Sequence, residues 1–415
     1  MCFFENILLF QRYRERRHSN MNGILEAAME LENELVKNRR HIHSNPEIGL
    51  ELEKTTAYVI QQLEEMGIEP KLISKSAITA KIGQGGKTIL LRADMDALPM
   101  EENAELSFKS CNHYAHLCGH DMHTATLLGV AKVLKAREAE LKGTVLLMFQ
   151  PGEEIGQGAK SMLDAGLLTD NKVDAAMALH VSAEIEPGKM EYKQGVGSAS
   201  MDTFLVKIQG KGAHSSTPHL GIDPLMIVNT LYTMLNTLVG READPFQTAV
   251  LTIGKMGGGT AANIIPDTAV LEGGLRCFDK ETRNHLSKRI YEIIDEVVRT
   301  MRGSYTIQKF YTPSIYNDPI LCNAMTPYIE EIIGKENFTL SDKPLSGTED
   351  FSYISEEVPS MYMWLGAGNK DNYPLHNPNV VFDEKALPIG VAVLANCAMN
   401  WLKDNAANEE EVGNE

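Results

Sequence analysis

The sequence predicts an α/β fold in which a largely parallel mixed sheet is flanked by helices and interrupted by a smaller two-layer α+β insert. Three observations carry this. Short apolar runs alternate with helical patterns over residues 23–180. Between about 197 and 312 the order becomes strand, helix, strand, strand, helix, strand. From about 315 the alternating style returns. Strands alternating with helices argue for a parallel sheet covered on both faces. The expected domains are a discontinuous one over 21–196 and 312–405, an insert over 197–311, and disordered extensions at 1–20 and 406–415.

The elements follow in order. Ile24, Ala28, Leu31 and Leu35 recur at helical spacing over 23–44, and Asn45-Pro46 ends that helix. A second helix is predicted over 53–66, ending at Gly67, followed by short β-rich runs at 68–73, 78–82 and 88–92. Helices over 120–136 and 158–165 alternate with apolar strands at 143–150 and 174–180. Within the insert, strands are predicted at 201–209, 248–256, 269–278 and 304–310, with helices at 222–239 and 280–299. That is a βαββαβ unit, ferredoxin-like in order. A helix near 319–335, a strand at 360–365 and a helix at 384–402 complete the outer domain.

Composition narrows the function classes. The chain has 415 residues, 43% hydrophobic and 23% charged, the profile of a globular protein with room for two domains. With 39 basic and 56 acidic residues the net charge is −17. Such a chain lacks the basic footprint that nucleic acid or an anionic membrane surface requires. No apolar run approaches the roughly 18–20 residues of a membrane span. The first ten residues are apolar, but the basic residues Arg12, Arg14, Arg16 and Arg17 follow rather than precede them, the reverse of a signal peptide. Residues 1–20 are therefore read as an upstream extension before Met21. The six cysteines show no CxxC pairing, which suits reduced thiols and a cytoplasmic location.

Four segments carry candidate chemistry. In His116-Leu117-Cys118-Gly119-His120-Asp121-Met122-His123, three histidines, a cysteine and an aspartate crowd a loop entering a helix. Cys118 and His120 could converge on one metal ion, since thiolate and imidazole suit zinc, manganese and similar ions. Glu153 and Glu154 follow a buried strand in FQPGEE. Taken alone, the pair reads as a solvated acidic turn. His180 ends the strand DAAMALH, and His376 sits in the loop segment LHNP. Each alone reads as an ordinary core or loop histidine. Together, Cys118, His120, Glu154, His180 and His376 all fall at strand or loop ends of the outer domain, where open α/β sheets place their sites. Five ligands exceed what one catalytic zinc needs and suit two divalent ions sharing a bridge. Glu153 would then move protons. In the insert, His214 of GKGAHSS could polarise an oxyanion, while Asn263 and Arg276 could hold a substrate carboxylate. A flexible loop and a surface cation are the plainer alternatives there. A thiol-redox role for Cys118 lacks a resolving partner nearer than Cys111, seven residues away.

At this point the chain resembles the aminoacylase and carboxypeptidase-like family of dinuclear metallohydrolases. The closer likeness is to its amidohydrolase branch of hippurate hydrolases, N-acyl-amino-acid amidohydrolases and indole-acetyl-amino-acid hydrolases. NRRHIHSNPEIGLEL (38–52), LLRADMDALPM (90–100), HLCGHDMHTA (116–125), FQPGEE (149–154), ALHV (178–181), GKGAHSSTPHLGIDP (210–224), NIIPD (263–267), GTEDFSY (347–353) and HNP (376–378) carry the resemblance. It implies that Cys118, His120, Glu154, His180 and His376 are metal ligands, with Glu153 the general acid/base. His214 is implied to stabilise the oxyanion, and Asn263 and Arg276 to contact substrate. Asp94 and Asp96 fall where peptidase members carry an HxD motif, and Asp94 in place of histidine favours the amidohydrolase branch. Asp94, Asp96 and Glu349 are implied to support the ligands from behind. The resemblance further implies two divalent ions, manganese or zinc with cobalt or nickel also compatible. It implies an N-acyl-amino-acid substrate, and an inserted lid or dimerisation domain that assembles a homodimer or homotetramer. A dipeptidase or carboxypeptidase of the same family is the alternative activity.

Overall fold

The computed structural model describes residues 23–412 apart from 111 and 346. The proposed extension over 1–20 and Cys111 lie outside these residues. In chain order the helices are α1 (Gly23–Glu30), α2 (Glu32–His43), α3 (Glu53–Glu65), α4 (His120–Ala136), α5 (Gly158–Asp164), α6 (Pro224–Glu242), α7 (Lys280–Thr300), α8 (Pro319–Ile333), α9 (Ser352–Glu357) and α10 (Ala386–Val412). The main strands are β1 (Pro70–Leu72), β2 (Ile78–Gly83), β3 (Thr88–Asp94), β4 (Thr144–Gln150), β5 (Ala175–Ser182), β6 (Met190–Tyr192), β7 (Ser200–Gln209), β8 (Ala249–Gly258), β9 (Thr268–Cys277), β10 (Ser304–Thr312), β11 (Phe338–Leu340) and β12 (Ser360–Gly366).

The chain divides into two compact units. Among the described residues, one holds 23–195, Asn317–Asp342 and 357–412; the other holds Val196–Tyr316 and Lys343–Glu356. In the first unit an eight-stranded sheet has the order β1-β2-β4-β3-β5-β12-β6-β11. Its centre, β4-β3-β5-β12, is parallel, while β1, β2 and the β6/β12 pair are antiparallel additions. Every residue of TILLRAD in β3 and TVLLMFQ in β4 is buried. Such end-to-end burial around a mainly apolar run is what parallel strands covered on both faces show. Helix α4 packs against α2, α10 and β3. Gly129 lets it come close: a Cβ there would meet Leu35 Cδ2 at 2.5 Å and Val391 Cγ2 at 2.6 Å.

Three sequence expectations for this unit change. The helix predicted over 23–44 is two helices, broken at Leu31. The stretch Ala386–Ala406 is long and apolar enough to cross a membrane by length and composition, against the expectation that no run is. However, 83% of its apolar window is buried, and the helix packs on α1, α4 and α8 as a core element. The helix also runs on to Val412, into the segment expected to be disordered. Alanine, lysine and glutamate extend an existing helix at little cost, and Asp404 is held by the Tyr328 hydroxyl.

The second unit has a four-stranded antiparallel sheet in the order β8-β9-β7-β10. Burial alternates along β7, as a sheet with one covered face demands. Phe204, Val206, Ile208, Leu271 and Leu275 meet Ile227, Leu231, Leu235, Ile290 and Ile294 from α6 and α7 in its core. Asp223 caps α6, accepting from the N–H groups of Leu225 and Met226, and Asp279 caps α7 through Thr282 N–H. Segment 343–356, expected within the outer domain, belongs to this unit. Leu345 exchanges backbone hydrogen bonds with Gly197 and Ala199, Thr348 Oγ1 accepts from Arg276, and the Tyr353 hydroxyl donates to Tyr311 O.

Candidate metal centre

The chemistry-bearing side chains of the first unit gather at the carboxyl ends of β3, β4 and β5 and at the start of α4. Gly119 makes that start possible. Its φ is +89°, and a Cβ would lie 2.3 Å from Val181 Cγ2. Only glycine adopts this conformation and permits this approach at low cost. The turn therefore sets Cys118 and His120 directly against the end of β5, with Cys118 Sγ 3.4 Å from His180 Nε2.

Hydrogen bonds fix which histidine nitrogens face inward. His120 Nδ1 lies 2.8 Å from the Asp96 carbonyl, and His180 Nδ1 lies 2.8 Å from the Val181 carbonyl. A carbonyl only accepts, so both Nδ1 atoms carry protons and Nε2 is the nitrogen each ring turns inward. Asp96 also orders the glutamate turn: its two carboxylate oxygens accept from Glu153 N–H at 3.0 Å and Glu154 N–H at 3.1 Å. His376 hangs from the loop after β12, its N–H donating to Leu117 O at 3.0 Å. Its φ is +65°, a left-handed conformation that costs a non-glycine residue about 1 kcal/mol. Its Nε2 lies 3.6 Å from Glu154 Oε1.

Two of the donor triads that result share one atom. Sγ of Cys118 with nitrogens of His120 and His180 forms one group; the same Sγ with Glu154 and His376 forms the other. Within each, all donors lie within 4.8 Å of one another. Two ligands on one tetrahedral ion at bond lengths of 2.0–2.3 Å sit about 3.5 Å apart, so modest closure suffices. His120 Nε2 and Glu154 Oε1 are buried without a hydrogen-bond partner, a costly state for polar atoms that a cation relieves.

The electrostatics suit the same occupant. Burial pushes the Cys118 thiol well up and holds His180 well below the usual histidine range. Burial drives Glu154 up to about 7, and the Asp96 and Asp94 carboxylates add to this. Burial opposes charge on His120, but Asp94 and Cys118 outweigh it and raise its pKa well above the usual value. Cys118, Glu154 and His120 thus favour their protonated forms, and divalent cations would displace those protons. Thiolate, imidazole and carboxylate donors fit zinc, manganese and their neighbours.

Supporting residues emerge that the motifs did not single out. Asp94 is not a lone carboxylate: Arg92 Nη1 lies 2.7 Å from its Oδ2, and His123 Nδ1 lies 2.5 Å from its Oδ1. His123 Nε2 accepts from Val181 N–H at 2.9 Å, so its Nδ1 carries the proton given to Asp94. With both nitrogens engaged, His123 braces the strand that carries His180. Its i, i+3 spacing from His120 on a helix was the available signal. Arg92 Nε donates to Gln150 Oε1 at 2.9 Å, joining the ends of β3 and β4.

The other expected residues lie on the second unit. His214 is exposed, and its Nδ1 accepts from Ser216 N–H at 3.1 Å, which leaves the ring proton on Nε2. Asn263 is exposed, its carbonyl accepting from Ser215 N–H. Arg276 Nη1 donates to Thr348 Oγ1 at 2.9 Å. Glu349 is buried, with Oε1 accepting from Phe351 N–H at 2.9 Å.

Known proteins resemble this chain over most of its length. The family model "Peptidase family M20/M25/M40" matches residues 90–400. The chain is 37% identical over 364 residues to an N-acetyl-L-cysteine deacetylase of Bacillus subtilis, covering 86% of this chain and 85% of that one. It is 37% identical over 381 residues to the IAA-amino acid hydrolase ILR1-like 4 of Arabidopsis thaliana, covering 89% and 86%. A crystal structure of the Bacillus subtilis YXEP protein, described as a dinuclear metal-binding peptidase of the M20 family, superposes with a TM-score of 0.75 at 32% identity. It covers 90% of this chain and 99% of that one. The large mixed sheet, the shared-cysteine donor set and these matches lead to one statement of kinship: the chain belongs to peptidase family M20/M25/M40.

Proposed function

We propose that this chain is a metal-dependent amidohydrolase that cleaves N-acyl-amino acids into a carboxylic acid and a free amino acid. The observation that carries the proposal is the pair of donor triads sharing Cys118 Sγ. In this reading Cys118, His120 and His180 hold one divalent ion, and Cys118, Glu154 and His376 the other, with manganese or zinc the intended metals. When bound, such a pair supplies Lewis acidity and brings the pKa of a water molecule towards about 7.

The chain's own residues do the rest. Glu153 sits beside Glu154 with Oε2 3.9 Å from His120 Nε2. It is assigned the proton taken from the attacking water and delivered to the leaving nitrogen, which must depart as an amine. Asp96 holds the Glu153 and Glu154 N–H groups, so the proton carrier and the ligand keep different directions from one turn. His214, with its proton on Nε2, is assigned to donate to the oxyanion, and Asn263 and Arg276 to the substrate carboxylate. Asp94, Asp96 and Glu349 are assigned supporting roles behind these groups. The deacetylase and amino-acid hydrolase names of the relatives favour an N-acyl-amino acid substrate. The cysteines without CxxC spacing and the net charge of −17 support a cytoplasmic, small-molecule role without nucleic-acid or membrane partners. A homodimer or homotetramer through the second unit is part of the same proposal. Cleavage of dipeptides from the carboxyl end is the second reading, motivated by the peptidase description of the family.

The test is Glu153→Ala. Metal content should match the wild type while kcat falls by about 10²–10⁴-fold on N-acetyl-cysteine, hippurate or an indole-acetyl-amino acid. Near-wild-type turnover in this variant would exclude the assigned role. A wild-type preference for dipeptides over all three substrates would select the second reading.

A further inference from the structure

Behind the donor set lies a second buried cluster of ionisable side chains. Arg39 and His43 come from one face of α2, Asp121 from the first turn of α4, and Glu102 from the connection between β3 and α4. Their exposures are 1%, 2%, 0% and 4%. Asp121 Oδ2 lies 2.6 Å from Arg39 Nε and 2.8 Å from His43 Nδ1. His43 Nε2 lies 3.0 Å from Glu102 Oε1. With a carboxylate oxygen on each ring nitrogen, both nitrogens donate and the ring is an imidazolium. Burial opposes that charge, but Asp121 and Glu102 outweigh it and raise the His43 pKa.

Each end of this strut leads to a ligand-bearing segment. Asp121 follows His120 in the chain. Glu102 precedes Asn103, whose N–H donates to Pro378 O at 2.7 Å, two residues past His376. Glu102 Oε2 also accepts from Ser110 N–H at 3.2 Å, closing its own loop. The two triads differ in what supports them. His120 and His180 are buried on a helix and a strand. His376 is 49% exposed, with φ at +65° in a loop. The loop therefore depends most on the cluster behind it.

We propose that His43 is a positioning residue: clamped between Asp121 and Glu102, it fixes the His376 loop against the Cys118–His120 turn and so holds the Cys118–Glu154–His376 donor set together. The inference rests on the dinuclear reading above.

The test uses full-length wild type, His43→Gln and Asn38→Ala. Asn38 is equally buried on α2, but its side chain accepts from the Tyr58 hydroxyl. Each protein is stripped of metal and titrated with Mn(II) alone, with uptake read by equilibrium dialysis and thermal unfolding recorded on the metal-free forms. Wild type should take up two ions. His43→Gln should keep one affinity and lose about 10–100-fold in the other, the usual scale for residues that orient ligands. Asn38→Ala should lose thermal stability and keep both affinities. Unchanged affinities in His43→Gln, with two ions in wild type, overturn the inference and leave the dinuclear reading standing. Fewer than two ions in wild type overturn both. If His43→Gln does not fold, Glu102→Gln breaks the strut at its other end and should show the same split; unchanged affinities there overturn the inference.

Discussion

Gly119 is the residue on which the donor geometry turns. Its positive φ and its contact with Val181 Cγ2 place Cys118 and His120 on opposite sides of a turn no other residue makes cheaply. Gly119→Ala is expected to cost about 1–3 kcal/mol in strain and to shift the Cys118–His120 turn away from His180. Elemental analysis should then show metal loss out of proportion to the drop in melting temperature. A variant with full metal content would show that the turn tolerates a side chain. Cys118 and His120 were legible in one dense motif, whereas Glu154, His180 and His376 look ordinary alone and drew notice only together and through the family resemblance. Their partners were less so. Asp94, which the family resemblance pointed to, meets His123 across 29 residues, and the clamp joining His43 to Asp121 spans 78 residues.

At the scale of elements, burial pattern and caps explain most of what formed. Strands β3, β4 and β5 have mainly apolar, buried sequences with polar residues near their carboxyl ends, and they occupy the parallel centre of the sheet. The three-residue strands β6 and β11 carry no such pattern; they exist because β12 and each other offer them partners. The placement of 343–356 was equally hidden, since its anchors are backbone bonds to Gly197 and Ala199 and a hydroxyl on Arg276. In the second unit, Asp223 accepts from two N–H groups at the start of α6, just before Pro224. Asp223→Ala should therefore cost about 1 kcal/mol, read as a lower denaturant midpoint with an unchanged slope. No change in midpoint would show that the cap carries no stability.

For the molecule as a whole, the −17 charge and the donor set describe different things. The charge sums over the whole chain, whereas the candidate centre gathers three imidazoles with a thiol and a glutamate, Cys118 and Glu154, whose pKa values burial raises. The eight-stranded sheet makes this possible by delivering β3, β4, β5 and the loop after β12 to one edge, with α4 starting there. The central claim is that one sulfur, Cys118 Sγ, joins two ions. X-ray absorption spectroscopy of the fully zinc-loaded protein tests it most directly, together with elemental analysis. The account predicts two zinc ions per chain, a sulfur scatterer at about 2.3 Å that disappears in Cys118→Ser, and a metal–metal vector at about 3.5–4 Å. One zinc per chain, or a zinc pair with no sulfur neighbour, would contradict it.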